Sequence, residues 1–369
     1  MLLSLSLALC LIGCGAGKEE EINELTVTGS LELRYATQFS IDYCEGGYKL
    51  ISLADGSRFL IIPEGSQKPK GLDPGTVPIY QPVRNIYLAA TSVMCLFDSL
   101  DRLDAIRLSG TKEEGWYIEA ARQAMKDGDI LFAGKYSAPD YELITAEKCP
   151  LAIESMMIGH ASDVKEQLEQ LGIAVLMDQS SNEEHPLGRV EWIKLYGVLL
   201  GEEEAADRVF QEQLDYLDSV SESEASGKTV AFFYVSSTGR IITRKSGDYV
   251  SKMIELAGGQ YVLKGLEDDG SMTSSVTLDP EFFYASARDA DVIIYNSAIA
   301  GEVTDIESLI SKCELLGDFR AVENGEVWCT EKNMYQEMTA SGEMISEIHA
   351  ILSGNYDEGS GSGYFRRLH

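Results

Sequence analysis

Glu202-Glu-Glu-Ala-Ala-Asp-Arg-Val-Phe-Gln-Glu-Gln-Leu-Asp-Tyr-Leu-Asp-Ser-Val-Ser-Glu-Ser-Glu224 is the stretch that decides how this chain is organised. Its apolar residues Ala206, Val209, Phe210, Leu214, Leu217 and Val220 recur at the spacing of one helical face, with no breaker before Gly227. A helix of that length spans roughly 35 Å, longer than an ordinary globular helix. The segment predicts one stiff rod, and the patterns on either side of it say what the rod joins.

Both sides alternate strand with helix. Before the rod, Asn85-Ile-Tyr-Leu-Ala-Ala90 reads as a short buried strand, and Thr91 or Ser92 as the cap of a helix reaching Leu100. Tyr117–Met125 reads as a helix, Leu151-Ala-Ile-Glu-Ser155 as a strand, Ser162–Leu171 as a helix and Ile173-Ala-Val-Leu-Met177 as a strand. Pro186–Leu200 is a helix opened by a proline whose missing N–H costs nothing in a first turn. After the rod come a strand at Thr229–Val235, helices at Tyr249–Ala257 and Pro280–Arg288, and strands at Val292–Tyr295 and Glu326–Cys329. Met338–Leu352 is the closing helix. Such alternation implies parallel sheets covered on both faces.

Ahead of all this, Leu31-Glu-Leu-Arg-Tyr35 alternates, and Tyr48-Lys-Leu-Ile51 and Arg58-Phe-Leu-Ile-Ile62 follow, with Gly46-Gly47 and Asp55-Gly56 as hairpin turns. Pro63 to Pro82 reads as a Pro/Gly-rich loop. The expected fold is therefore α/β: two lobes with parallel-type sheets joined by one long backbone helix, and a small antiparallel β meander at the N-terminus. The expected boundaries are an N-terminal lobe over 31–201 (meander 31–62), the helix over 202–226, a C-terminal lobe over 227–353 and a flexible tail over 354–369, in which Gly359–Gly363 is the flexible part and Tyr364-Phe365 an apolar pair able to dock.

With 369 residues the chain suits two domains. Its 44% hydrophobic content and only nine prolines support packed cores rather than disorder. Thirty basic against sixty acidic residues give a net charge of −30, a field that repels nucleic acid and anionic lipid headgroups. Solubility explains most of that acid.

The apolar run Leu2–Ile12, ending Leu11-Ile12-Gly13-Cys14, is about half the length of a membrane span and reads as a secretory leader over 1–13. Gly13 before Cys14 fits a lipoprotein cleavage box, with Cys14 acylated and residues 14–30 as tether. No basic residue precedes the run, so a frayed apolar terminus is the alternative. The expectation is an exported protein, lipid-anchored at the outer face of the cell membrane or in a periplasm. Cys44, Cys95, Cys149, Cys313 and Cys329 are odd in number and without metal-type spacing, which suggests buried free thiols rather than a disulfide scaffold.

Several segments in this order resemble the substrate-binding proteins of ABC importers for iron–siderophore complexes, haem and vitamin B12. Pro82-Val-Arg-Asn-Ile-Tyr-Leu-Ala-Ala-Thr-Ser-Val-Met-Cys-Leu-Phe-Asp-Ser-Leu-Asp-Arg-Leu-Asp-Ala-Ile106 is similar to that family's opening strand, helix and second strand. Pro139-Asp-Tyr-Glu-Leu-Ile144 with Leu151–Ser155 is similar to its unit of a helix and then a strand ending at the ligand. His185-Pro-Leu-Gly-Arg-Val-Glu-Trp-Ile-Lys194 is similar to the segment before the backbone helix, and Asp248–Gly259 and Ala321–Cys329 to segments of the second lobe. The resemblance covers about Leu25 to Leu352. It implies two α/β lobes on one rigid helix, no catalytic cofactor, and a bound cargo of ferric siderophore, haem or cobalamin. It further implies a monomer that delivers this small-molecule chelate to an ABC permease in the membrane.

Independently of the resemblance, open α/β sheets bind ligands beyond the carboxyl ends of their strands. That rule nominates Thr91, Ser92, Gly134-Lys135-Tyr136, Met156, Met157 and Asp178-Gln179 in the first lobe. In the second it nominates Arg240, Thr243, Arg244, Lys245, Tyr295, Asn296 and Met334-Tyr335-Gln336. Tyrosines and methionines offer apolar faces to a macrocycle or catecholate. Arg244 and Lys245, read as part of a polar loop, suit an anionic ligand. The four histidines, His160, His185, His349 and His369, form no evident three-His metal set. His160 is a candidate axial ligand to haem iron, as are Tyr136 and Tyr335, while His185 suits a cap or a packing position. The resemblance also implies one acidic docking residue per lobe, for which Asp163 and Glu281 are the candidates.

The rival readings are a secreted, lipid-anchored hydrolase with an acidic cleft, an adhesion module and a bare-metal receptor. G-x-S-x-G, H-E-x-x-H and the phosphate-loop motif are absent from the sequence. Paired carboxylates of the glycosidase kind remain open among so many acids.

Overall fold

The computed structural model describes residues 25–266, 274–357 and 363–369; the leader, Cys14 and the first part of the tether lie outside the described residues. Among those described, three sheets of five, five and seven strands carry the fold. No described helix is long and apolar enough to cross a membrane.

The first sheet runs in chain order through Val27–Ser30, Phe39–Cys44, Lys49–Leu53, Arg58–Ile62 and Thr76–Tyr80. Its first four strands are antiparallel and the fifth is parallel to the fourth. Gly46, Gly47 and Gly56 turn the chain at φ 74°, 79° and 86°, in the left-handed region that favours glycine.

Two expectations fail in this region. Leu31–Tyr35 is not a strand, because the N–H groups of Arg34, Tyr35 and Ala36 donate to the buried Glu191 carboxylate at 2.8 to 3.0 Å. Those of Thr37 and Gln38 donate to Glu183 at 2.9 to 3.0 Å. Donors taken by carboxylates cannot build a ladder. The expected loop Pro63–Pro82 also contains a strand, Thr76–Tyr80, with Pro78 opposite Leu60. At a sheet edge the missing proline N–H is tolerated.

The second sheet is all parallel, in the order Ala174–Asp178, Leu151–Ser155, Ile86–Leu88, Ile106–Ser109, Leu131–Phe132. Strand order reverses between Ile86–Leu88 and Leu151–Ser155, which makes a switch point there. Alternation along Leu151–Ser155 sends Leu151 and Ile153 to the main core and Ala152 to a second cluster with Tyr87, Leu108 and Val175.

The expected rod is the helix Glu203–Ser221, 19 residues and so about 28 Å long. Ala206, Phe210, Leu214, Leu217 and Val220 are its buried stripe. Gly201, at φ 77°, separates it from the preceding helix Ile193–Leu200. It packs against the closing helix Ser341–Ser353, where the Gly342 N–H donates to Gln213 Oε1 at 3.0 Å. A Cβ at Gly342 would lie 2.3 Å from the Gln213 carbonyl oxygen, so this crossing requires glycine.

The third sheet runs Ser275–Leu278, Ile241–Arg244, Thr229–Val235, Val292–Tyr295, Val327–Thr330, Phe365–Arg367, with Gln260–Tyr261 also paired to Thr229–Val235. Arg244 is thus the last residue of a strand, not part of a polar loop. The tail docks at its end, where Tyr364-Phe365 offered an apolar pair to do so. Phe365–Arg367 adds an antiparallel edge strand to Val327–Thr330, with Tyr364 and Leu368 buried beside it.

Candidate ligand-binding cleft

One side chain bridges loops at the carboxyl ends of the second and third sheets. Gln336, in the loop after Val327–Thr330, accepts from the Tyr117 N–H at 2.8 Å and donates to the Gly115 carbonyl at 2.8 Å. Gly115 and Tyr117 belong to the segment after Ile106–Ser109, so strand-end loops of both lobes face one another across this amide. The two lobes are joined by the Glu203–Ser221 helix, by the Gln336 clasp and by direct packing, as where the Arg189 guanidinium of the first lobe stands 4.0 Å from the ring centroid of Tyr249 in the second.

On the first lobe the strand ends enclose a depression of about 430 Å³ whose lining includes Thr91, Lys112, Phe132, Lys135, Tyr136 and Met157. Thr91, Tyr136 and Met157 are three of the residues expected at the site. Met157 is 47% exposed, unusual for a methionine, and follows directly from the strand Leu151–Ser155. Ser92 and Met156 are half-buried beside this wall and outside its lining. Neither Thr91 nor Ser92 caps the helix Met94–Ser99 with its side chain.

On the second lobe the expected residues gather into a closed network rather than an open surface. Arg244 donates to the Tyr335 hydroxyl at 2.7 Å and to Ser274 Oγ at 3.0 Å, and lies 3.8 Å from Asp248. Asn296 Nδ2 donates to the same Tyr335 hydroxyl at 2.7 Å. Burial opposes the Arg244 charge, yet Tyr335 and Asp248 hold its pKa above the ordinary arginine value. Burial holds the Tyr335 hydroxyl well above the usual tyrosine range. Lys245 is buried. Tyr295 is a core residue, with no exposed surface and its ring edge-on to Phe233. Thr243 bonds the Phe232 carbonyl and Tyr261, Met334 is buried, and Arg240 pairs with Asp279.

A second depression, about 770 Å³, opens at the carboxyl ends of Thr229–Val235 and Val292–Tyr295. Tyr234, Ser236, Ser237, Ile299 and Lys312 line it. Ile299 is 50% exposed. Sequence reasoning missed Lys112, Phe132, Ile299 and Lys312. Lys112 was within reach of the strand-end rule, had Ile106–Ser109 been followed to its end at Gly110-Thr111-Lys112.

His160 is exposed at the end of the turn Met156–His160 and does not line the depression. His185 caps its helix, its Nδ1 accepting from the Leu187 N–H at 3.1 Å while its ring stacks on Tyr35 at 4.1 Å. Asp163 and Glu281 are exposed in the first turns of the helices Ser162–Gln170 and Pro280–Ala287. Those helices follow the strands Leu151–Ser155 and Ser275–Leu278, so both acids stand at the strand-end side of their lobes. All five described cysteines are free thiols, and all but Cys313 are buried.

The comparisons with known proteins agree with this architecture. The chain is 25% identical over 331 residues to an uncharacterized lipoprotein of Methanocaldococcus jannaschii, an alignment covering 86% of this chain and 78% of that one. A periplasmic haem-binding protein of Vibrio cholerae, HutB, superposes with a TM-score of 0.58 at 14% identity, covering 71% of this chain and 97% of that one. The periplasmic vitamin B12-binding protein BtuF of the same organism gives 0.53 at 17%, covering 74% and 98%. Likeness at such identity establishes the fold and not the ligand. The family described as periplasmic binding protein matches residues 111–333, more than half of the sequence, and the chain belongs to that family.

Proposed function

We propose that this chain is the extracytoplasmic substrate-binding component of an ABC importer. It captures an iron chelate, siderophore or haem, or a corrinoid, between its two strand-end faces and delivers it to a membrane permease. The observation that carries the reading is the pair of depressions at the carboxyl ends of two sheets, held to each other by one helix and by Gln336. Known neighbours of the same fold include haem- and vitamin B12-binding proteins, which supports a flat, ring-bearing cargo. Thr91, Tyr136 and Met157 supply the first wall, while Arg244, Asn296 and Tyr335 brace the loop that carries Gln336. If haem is the cargo, Tyr136 is better placed than His160 to reach its iron.

The linking helix, the Gln336 clasp and the packing between the lobes leave little room for wide closure, so loading is recognised by the permease on a nearly fixed frame. Asp163 and Glu281 are the docking residues in this reading, and Cys14 carries the lipid that keeps the protein at the membrane. The protein works as a monomer, binding its cargo without converting it. The test is chelate uptake in cells that depend on this chain. Asp163→Arg and Glu281→Arg together are expected to abolish uptake while leaving cargo binding intact. Undiminished uptake by that variant would remove the docking assignment, and uptake of every chelate without the chain would remove the importer role.

A further inference from the structure

Arg244 and Lys245, the cations expected to meet the ligand, are buried in the second lobe, and Arg244 already faces Asp248 and Tyr335. Arg240, on the turn nearby, is paired with Asp279. The charge available to a ligand lies elsewhere. Lys112 and Lys135 are exposed in the first depression and Lys312 is half-exposed in the second, and none of them forms an ion pair among the described residues. Glu114 is the one acidic residue lining either depression. In a chain with twice as many acids as bases, the linings of these two depressions reverse the ratio. Two of these lysines also stand above aromatic rings: Lys112 lies 5.7 Å from the centroid of Phe132, and Lys312 lies 6.0 Å from that of Tyr295. Such a contact holds an ammonium group over the ring without neutralising it.

Resting on the receptor reading above, we infer that Lys112, Lys135 and Lys312 select an anionic, ring-bearing chelate, and that a corrinoid with an uncharged amide periphery is not the cargo. An acidic outer surface turns anions away over a Debye length, so a cleft that takes one must supply its own local positive field. Catecholate and carboxylate groups on a metal chelate share that chemistry, in a ferric tris-catecholate as in the propionates of haem. The exposed apolar partners Phe132, Met157 and Ile299 suit the rings of either.

The test is a calorimetric titration with a ferric tris-catecholate, with haem and with cyanocobalamin, using the intact chain and the variant Lys112→Gln, Lys135→Gln, Lys312→Gln. An anionic chelate is expected to bind the intact chain and to weaken roughly tenfold or more in the triple variant, each exposed charge contributing a few-fold. The same affinity should fall as salt rises from about 0.05 to 0.5 M, where screening becomes nearly complete. The triple lysine-to-arginine variant keeps the charge and should bind like the parent, and melting curves of all three chains should coincide. Cyanocobalamin as the bound chelate, or an anionic chelate indifferent to both the glutamines and salt, overturns the charge assignment and leaves the receptor reading standing. Binding of none of the three overturns the receptor reading itself.

Discussion

Glu154→Gln should flatten the pH dependence of this protein's stability. Glu154 lies on the interior strand Leu151–Ser155 with no exposed surface, and neither carboxyl oxygen has a hydrogen-bond partner among the described residues. Burial pushes its pKa from 4.5 up to about 8, so the folded chain keeps this proton at neutral pH. The unfolded chain releases the proton near the ordinary carboxylate value. Between the two values the folded state therefore binds more protons, and stability falls as pH rises. The contribution is fully present below the ordinary pKa and is lost by the time the folded group ionises. At 1.36 kcal/mol per pH unit, the loss between about pH 5 and pH 7.5 is about 3 kcal/mol. Glutamine keeps the shape and cannot ionise, so this part of the slope should vanish. The assay is urea unfolding of both chains at those two pH values, followed by circular dichroism and fluorescence to verify a single transition. The variant should gain about 3 kcal/mol relative to the parent on going from the lower to the higher pH, whatever the glutamine amide itself costs. Equal slopes in the two chains would refute the argument, because Glu154 would then be ionised and solvated in the fold.

Gln336→Ala removes both hydrogen bonds of the clasp and should cost about 1 to 2 kcal/mol. Amide hydrogen exchange at Tyr117 should accelerate while exchange in the strand Val292–Tyr295 stays slow; unchanged protection at Tyr117 would mean that the clasp is not a lobe contact in solution. The cysteines offer a chemical check. Burial pushes Cys95 and Cys149 up to about 11, so few of their thiols are ionised at pH 8 and a disulfide reagent should modify the native protein at Cys313 first. Rapid modification of several thiols without denaturant would contradict the burial described.

The parts of the fold legible in the sequence were those carried by periodicity. The apolar stripe from Ala206 to Val220 located the linking helix to within a few residues, and the strand–helix alternation located the parallel sheet of the first lobe and the parallel centre of the second, whose outer strands Ile241–Arg244 and Phe365–Arg367 are antiparallel to their inner neighbours. What escaped were features decided by distant partners. Leu31–Tyr35 alternates like a strand, yet its neighbouring N–H groups belong to Glu191 and Glu183, more than a hundred residues away. Thr76–Tyr80 was hidden by Pro78, which only an edge position permits.

The site was legible by position and less so by contact. Following strands to their ends found Thr91, Tyr136 and Met157 on one wall. It could not tell that Arg244, Asn296 and Tyr335 would satisfy one another, because the Ile241–Arg244 strand has too weak a pattern to be separated from the polar residues after it. Tyr295 follows the same rule to the wrong side: as the last strand residue it points into the core, and Asn296 is the first to leave it.

The measurement that tests the central claim most directly is the stoichiometry and affinity of chelate binding. Trp116, Trp192 and Trp328 are all buried, so heat is a better reporter here than fluorescence. Residues 25–369, titrated calorimetrically with haem, a ferric tris-catecholate and cyanocobalamin, are expected to bind one of these chelates one-to-one with submicromolar Kd. Absence of saturable heat with all three, together with an unmoved melting temperature, would contradict the receptor reading at its root.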